Sequence, residues 1–410
     1  MKPISRQWWF ILALALIKVV IHLATNTNYE LQRDALLYYS LGEHPAWGYV
    51  SVPPFIAMMA RISTNLFGNT VFALRFFPAL IGGLSVILIG RIVQLFKGNT
   101  MAIILATTAF ILSPAFLRSN TLFQPVSFNQ FFWLLSGFMI IRMIILQKPH
   151  HWVYIFAVFG IAFLNKYSVA FFMFAILLGL LFTRQRYLLK SKYFYGGALL
   201  ALVIILPNLV WQHNHNWPVI GHMLALQQYQ LINVSLLGFL TDQLVMNLPG
   251  LIIWIMGLVA LFRYKNFREF RFIGLAWLML LALLIVLRGK SYYTLGFYSI
   301  LFAFGGYAAS IYFKRALQYG LVGLAILIVL PMMPLSLPVM SHEAVAAWSS
   351  NVAPLTNRWE DGKVYEVPQD YADMTGWREL SGRVADFYES LPEQDQAECL
   401  IYAENYGQAG

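Results

Sequence analysis

Carboxylates are scarce over most of this sequence, and their distribution limits where acid or base chemistry can occur. The first 340 residues contain five acidic residues, whereas 13 of the 18 acids lie in the last 70 residues. Asp34 directly follows the first apolar segment, where partial desolvation would make its carboxylate more basic. Asp34 is therefore the main candidate for a catalytic base, and Glu30, Glu43 and Asp242 are the alternatives.

Two lysines lie in short turns between apolar segments, where a positive charge can bind an anion. Lys166 and Lys290 are each followed closely by tyrosine. An ammonium in such a turn can hold a lipid headgroup phosphate as a point charge. The alternative is that each lysine extends to the membrane surface and anchors a helix end to ordinary lipid. Arg75 and Arg288 are predicted to face the same side and to share either role.

The composition places these residues in a membrane protein. The 410 residues are 59% hydrophobic and only 11% charged, far below the roughly 25% charged residues of soluble domains. Continuous apolar stretches of about 17 to 25 residues, each long enough to cross a bilayer, recur up to about residue 338. They predict an all-α polytopic bundle of eleven membrane helices, near 7–25, 70–95, 100–117, 124–147, 152–164, 167–183, 193–211, 246–263, 272–287, 292–311 and 317–337.

The basic residues predict how this bundle is oriented. They fall mainly in alternate short loops, and the positive-inside rule makes these loops and the N-terminus cytoplasmic. The sequence thus predicts a multi-pass protein of the inner membrane. The loops 26–69 and 212–245, the lysine turns and the tail then face outward. Apolar residues at helical spacing in the two long loops predict amphipathic helices along the membrane interface. Because the basic residues set topology, the net charge of +10 does not indicate a nucleic-acid partner.

The tail, residues 341–410, returns to a soluble composition and is predicted to be an extracytoplasmic domain separate from the membrane domain 1–340. An amphipathic helix is expected over 381–391 and a short buried strand over 397–403, which together predict a small α/β unit. About 70 residues form a marginal core, so we expect the natural domain to continue beyond residue 410. The alternative is that the tail packs on the membrane helices.

Several stretches on the predicted outer face resemble the lipid-dependent glycosyltransferases of the C-type membrane fold (GT-C), in particular the bacterial relatives of protein O-mannosyltransferases and aminoarabinose transferases. The resemblance spans nearly the whole chain and departs from the usual family pattern at Ala35, where glutamate is usual, and at Ser51, where aspartate is common. The matching stretches are RDALLYY (33–39), AWGYVSVPP (46–54), LNKYS (164–168), LPNLVWQ (206–212), GKSYY (289–293), ADMTGW (372–377) and NYGQAG (405–410).

This resemblance implies transfer of a sugar, with inversion, from a polyprenyl-phosphate donor to an acceptor hydroxyl outside the cytoplasmic membrane. The acceptor would be a cell-envelope glycan, lipid or protein. The family's essential acid maps onto Asp34, the base for the acceptor proton, and positive charge at the donor phosphate would come from Lys166, Lys290, Arg75 and Arg288. The residues expected to bind substrate are Glu30, Glu43, Trp47, Tyr49, Asn165, Gln212, His213, Tyr292 and Tyr293.

Less specific interpretations stay open for these residues. Asp34 could pair with Arg33 or cap a short helix, and the aromatic residues could be interface anchors. No cofactor or metal is expected, because the chemistry needs none and the single cysteine and dispersed histidines do not suggest a metal site. The rival functions are a lipid-linked sugar flippase or transporter, and a non-catalytic receptor or assembly factor.

Overall fold

The computed structural model of the protein describes residues 6–352 and 354–409, and these residues are almost entirely helical. Seven helices are long and apolar enough to cross a membrane, or up to nine if each of two bent pairs forms one span. The described helices are α1 Arg6–Leu23, α2 Arg33–Glu43, α3 Phe55–Phe67, α4 Val71–Leu95, α5 Thr100–Leu112, α6 Pro114–Ser119, α7 Pro125–Leu146, α8 His151–Asn165, α9 Val169–Leu181, α10 Lys192–Asn214, α11 Pro218–Tyr229, α12 Leu236–Val245, α13 Leu251–Arg263, α14 Arg271–Val286, α15 Leu295–Tyr312, α16 Arg315–Ser336, α17 His342–Val352, α18 Gln369–Ala372, α19 Trp377–Ser390, α20 Glu393–Glu398 and α21 Tyr406–Ala409.

The all-α polytopic fold predicted from the sequence is confirmed. A helix overlaps each of the eleven predicted segments, but only seven to nine spans among the described residues are long and apolar enough to cross a membrane. The segment predicted as one helix over 100–117 is divided. Helix α5 ends at Leu112, Ser113 is extended, and α6 begins at Pro114. A proline disfavours helical geometry in the residue before it, which explains the break.

The centre of the bundle is α15, which is buried by its neighbours along most of its length. It crosses α13 at unusually short range: a Cβ atom added to Gly305 would lie 1.8 Å from the carbonyl oxygen of Ile253, and one added to Gly257 would lie 2.2 Å from that of Leu301. Glycines on both helices therefore permit a backbone contact that a larger residue would prevent. This crossing joins the middle of α15 to the first half of α13.

Helices also form where the long loops carry apolar residues at helical spacing, as predicted. Helices α2 and α3 lie in the first long loop, and α11 and α12 lie in the second. One apolar cluster joins α2 and α3 to α4 and α7; its buried members are Ala35, Tyr38, Ile56, Ala60, Leu74, Phe123 and Phe128. The first long loop is therefore a packed platform, which holds Asp34 at the start of α2.

The tail packs against the end of the bundle where the first long loop lies. Tyr371 is buried and donates to the carbonyl oxygens of Pro334 and Leu337, at 2.6 and 2.9 Å. It belongs to an apolar cluster that also includes Leu122 and Tyr29. The tail thus buries its main aromatic anchor between the membrane helices and the first loop.

The α/β character predicted for the tail is wrong. The expected helix over 381–391 is present as α19, but the expected strand over 397–403 is not: α20 ends at Glu398, and residues 399–405 are irregular. Leu400 and Tyr402 are 87% and 85% exposed, so this apolar run has no sheet or core to join. Among the described residues, β pairing is limited to one isolated bridge between Arg358 and Val364.

Candidate active site

Asp34 lies in the first turn of α2, and its carboxylate accepts a hydrogen bond on each oxygen. The Gln32 side chain caps the helix by accepting from the backbone N–H of Asp34, at 2.8 Å. Gln124 donates from Nε2 to Oδ2 at 3.0 Å, and the Tyr406 hydroxyl donates to Oδ1 at 2.7 Å. The carboxylate is therefore oriented by two residues from distant parts of the chain, Gln124 and Tyr406.

The surroundings of Asp34 favour a more basic carboxylate than one in water. Burial raises the pKa of Asp34, while the hydrogen bond from Tyr406 and the nearby Arg33 guanidinium oppose this increase. Arg33 itself lies 3.6 Å from Asp373 and 5.3 Å from the centre of the Tyr406 ring. Because its charge is shared with Asp373, Arg33 does not form a simple closed pair with Asp34, and the carboxylate can act as a base.

Arg75 holds the loop that leads to α2. Its guanidinium donates to the carbonyl oxygens of Asn26 and Asn28 at 2.7 Å and of Glu30 at 2.5 Å, and it contacts the sulfur of Met374. These contacts engage both terminal nitrogens of a buried side chain. The phosphate-binding role predicted for Arg75 does not fit this arrangement, because its donors already serve the backbone.

Lys166 follows α8 and lies against the tyrosines of the Lys290 turn. Its ammonium is 5.9 Å from the ring centre of Tyr292 and 5.3 Å from that of Tyr293, within the range of cation–π attraction. Desolvation and the nearby charge of Lys290 lower the pKa of Lys166 to about 8, while Asp34 and Glu360 oppose this decrease. Lys166 is thus charged at neutral pH, and its charge interacts with the other ionised groups of the site.

Lys290 forms an ion pair between its Nζ and Oε1 of Glu360, a residue of the tail. The turn that carries it is held by Gln243, whose Oε1 accepts from the hydroxyls of Thr294 at 2.7 Å and Tyr298 at 2.9 Å. Tail residues therefore contact both Lys290, through Glu360, and Asp34, through Tyr406, and Lys166 lies within electrostatic range of Lys290 and Asp34.

Two predicted substrate ligands, Glu30 and Asn165, have structural roles. The Glu30 carboxylate accepts from the backbone N–H groups of Trp377, at 2.7 Å, and Arg378, at 3.2 Å, at the start of α19. Asn165 is buried and donates to the carbonyl oxygen of Pro125 at 2.9 Å. Its contact fixes the turn that presents Lys166, so Asn165 positions the site rather than lining it.

The stretch 46–54 is fastened to α10 by residues that were also expected to bind substrate. The Tyr49 hydroxyl contacts the carbonyl oxygens of Leu41 and His44. Buried Gln212 donates to the Tyr49 carbonyl oxygen at 3.2 Å, and Asn208 donates to that of Trp47 at 2.8 Å. The polar groups of Tyr49 and Gln212 are thus used internally, whereas the Trp47 ring is 57% exposed and remains able to contact a ligand.

The remaining predicted ligands are exposed. Glu43 is exposed at the end of α2, and His213 is exposed with its ring 6.2 Å from that of Trp217. Arg288 is exposed in the turn before Lys290 and has a left-handed backbone, with φ of 51°. It lines an open cavity of about 380 Å³ together with Asn233 and Ser235.

Sequence reasoning missed three residues of this site. Gln124 was not among the predicted site residues, and no role was assigned to Tyr406, although it lies in one of the stretches that carried the resemblance. Glu360 had no sequence signal, since it is one of 13 acids in the tail. Within the described part of the chain, groups of three or more His, Cys, Asp or Glu side chains able to hold a metal ion do not occur.

Comparison with known proteins indicates the fold of the chain and a related family for part of it. Residues 51–211 match the family model described as dolichyl-phosphate-mannose-protein mannosyltransferase, a range that includes Lys166 but neither Asp34 nor Lys290. No curated protein sequence matches the chain. Crystal structures of ArnT from Cupriavidus metallidurans share its fold at 16% sequence identity. The apo structure gives a TM-score of 0.69 over 95% of this chain and 81% of ArnT. The structure bound to undecaprenyl phosphate gives 0.67 over 95% and 82%. The resemblance seen in the sequence is thus supported at two levels: the chain has the fold of ArnT over nearly its whole length, and its segment 51–211 is similar to the dolichyl-phosphate-mannose-protein mannosyltransferases.

Proposed function

We propose that the protein transfers a sugar from a polyprenyl-phosphate donor to a hydroxyl of a cell-envelope acceptor, on the outer side of the cytoplasmic membrane. The observation that carries this proposal is the gathering of one partly buried carboxylate, Asp34, with two lysine ammonium groups beneath the tail. Displacing a phosphate from a sugar carbon needs a base for the incoming hydroxyl and positive charge for the leaving group. These side chains supply both.

The donor class is supported by the family match and by the neighbouring structure. ArnT of the same fold was crystallised with undecaprenyl phosphate, and the matching family is described by a dolichyl-phosphate-mannose donor. Both lipids combine a long apolar chain with a phosphate. Here Lys166 and Lys290 lie at the ends of apolar helices, so that a lipid chain along the bundle would bring its phosphate to them.

The reaction is a one-step displacement that inverts the anomeric carbon. The acceptor oxygen attacks the sugar carbon from the side opposite the phosphate, and the new carbon–oxygen bond forms as the bond to phosphate breaks. Asp34 takes the hydroxyl proton, and the phosphate leaves with the electron pair, stabilised by Lys166 and Lys290. No cofactor is required, since the donor already carries an activated sugar.

The acceptor hydroxyl approaches Asp34 on the side of Tyr406, and Trp47 offers a separate contact for the rest of the acceptor. Tyr406 places a hydroxyl against Oδ1 of Asp34, which is the contact that an acceptor hydroxyl needs before it loses its proton. Trp47 offers an exposed aromatic surface on which a sugar ring can stack. A glycan or glycolipid hydroxyl fits this arrangement.

The test is sugar transfer by the purified protein from radiolabelled polyprenyl-phosphate sugars, with envelope extract as acceptor. Asp34→Asn and Lys290→Ala should each lower the rate at least 100-fold, in the range typical for loss of a general base or a charge stabiliser. The controls are Asp386→Asn and Lys265→Ala, which remove the same charges at exposed positions outside the site. Near wild-type transfer by Asp34→Asn would refute the base assignment, and donor movement across vesicles without transfer would favour a flippase.

A further inference from the structure

The ion pair between Lys290 and Glu360 places an anion where the donor phosphate is expected. The Lys290 side chain is 15% exposed and that of Glu360 is 38% exposed. A carboxylate and a phosphate are both anionic acceptors of charge-assisted hydrogen bonds from an ammonium. A phosphate that binds Lys290 must therefore compete with Glu360 for it.

Glu360 is directed at Lys290 by a turn that is fastened on both sides. The turn is closed by the backbone bond from Trp359 N to Lys363 O, at 2.9 Å, and includes Gly362 with φ of 82°. On the tail side the backbone N–H of Glu360 donates to Gln369 Oε1 at 3.0 Å. On the other side Asn233 donates to the Glu360 carbonyl oxygen at 2.9 Å. This carboxylate is thus held next to the lysine by its own backbone rather than by chance contact.

The charge of the phosphate changes during the proposed reaction. The donor is a phosphodiester with one negative charge, whereas the leaving group is a phosphate monoester whose second ionisation occurs near pH 6. Two neighbouring lysines would bind the product more tightly than the donor. Tight product binding would slow turnover unless another anion displaced the product phosphate from Lys290.

We propose that Glu360 is this competing anion. It pairs with Lys290 in the empty site and is displaced from Lys290 when the donor phosphate binds. After transfer, the Glu360 carboxylate pairs with Lys290 again and thereby promotes release of the lipid phosphate product. Glu360 is a positioning residue in this scheme, since it acts on the substrate through Lys290. The inference rests on the proposed function and adds to it a residue that governs product release.

The experiment measures binding of polyprenyl phosphate to the full chain in lipid nanodiscs, alongside steady-state transfer. In Glu360→Gln, the Kd for polyprenyl phosphate should fall roughly three- to tenfold, the range for loss of a partly buried charge pair. Both the donor KM and kcat should fall, because product release becomes slower. Glu360→Asp should restore part of the wild-type behaviour. The control Glu379→Gln, which removes an exposed tail charge paired with Arg383, should change neither quantity.

Uncharged polyprenol separates a charge effect from a change in lipid packing, since its binding should be the same in wild type and Glu360→Gln. Equal or weaker binding of polyprenyl phosphate by Glu360→Gln would overturn the proposal, as would an equal gain for polyprenol. Gln369→Ala provides a second variant that loosens the turn while keeping the charge, and it should shift the Kd in the same direction by a smaller factor. Loss of the proposed function would appear instead as a wild-type protein that transfers no sugar, whatever the Kd values show.

Discussion

Removal of a single hydroxyl in Tyr406→Phe should move the acidic limb of the activity profile to higher pH. Asp34 must be ionised to act as a base, so kcat/KM falls as the pH drops through its pKa in the free enzyme. The Tyr406 hydrogen bond lowers the pKa of Asp34 against the effect of burial. Burial and the Asp34 charge also raise the pKa of Tyr406, so the phenol stays a donor throughout the range measured.

The size of the shift follows from the strength of this bond and its exposure. A hydrogen bond to a charged group contributes about 1.5–3 kcal/mol, but Tyr406 is 40% exposed, and water can replace part of the lost contact. A net loss of about 0.7–1.4 kcal/mol corresponds to a rise of roughly half to one pH unit. The assay measures kcat/KM for sugar transfer from about pH 4.5 to about pH 8, a range that begins near the ordinary pKa of a carboxyl group and ends above that of an imidazole.

Tyr402→Phe is the matched control, because this tyrosine is 85% exposed and lies in the same tail segment. It should leave the acidic limb in place. An unchanged limb in Tyr406→Phe, or a shift to lower pH, would refute the reasoning: either Asp34 is not the group that titrates, or Tyr406 does not stabilise its ionised form.

Three further predictions concern a lysine, an arginine and a helix crossing. The pKa of Lys166 is lowered to about 8, so kcat/KM of the wild type should fall above about pH 8. Lys166→Arg should retain activity in that range, because the guanidinium stays charged. An alkaline limb that is the same in both proteins would contradict this. Arg75→Lys should lower both the transfer rate and the melting temperature, since one ammonium cannot replace donors to three carbonyl groups, and wild-type values for both would show that the 26–30 loop does not depend on Arg75. Gly305→Ala should destabilise the protein by about 1–3 kcal/mol or more, because the new methyl group would meet the Ile253 carbonyl oxygen. Thermal unfolding in detergent measures this loss of stability. The control Gly323→Ala, where a methyl group meets open space, should have little effect.

The sequence was sufficient to predict the helices and the principal candidate for the base. Long apolar runs have one stable solution in a bilayer, which is a helix with all its backbone groups paired. The scarcity of acids before residue 340 drew attention to Asp34, and the lysine turns stood out because few charges interrupt the apolar segments. The break at Ser113 follows from proline chemistry, but the surrounding hydrophobicity obscured it.

The partners of the site residues could not be predicted in the same way. Tyr406 and Asp34 are 372 positions apart, and Glu360 and Lys290 are 70 apart, distances at which local pattern carries no information about contact. Arg75 was predicted to bind the donor phosphate, because the sequence does not reveal that backbone carbonyl groups converge on its guanidinium. The tail run 397–403 was interpreted as a buried strand because it is apolar, yet it is exposed.

The contact between Tyr406 and Asp34 also has a consequence for when the protein becomes active during its synthesis. Asp34 leaves the ribosome early, whereas Tyr406 is added 372 residues later, which takes about 20 to 75 s at typical elongation rates of roughly 5–20 residues per second. During that interval the nascent chain already contains Asp34 but lacks Tyr406, which orients its carboxylate, and for most of the interval it also lacks Glu360, which pairs with Lys290. The candidate site is therefore complete only after the tail has been synthesised and has packed on the bundle, so a stalled or prematurely terminated chain would carry an unfinished centre.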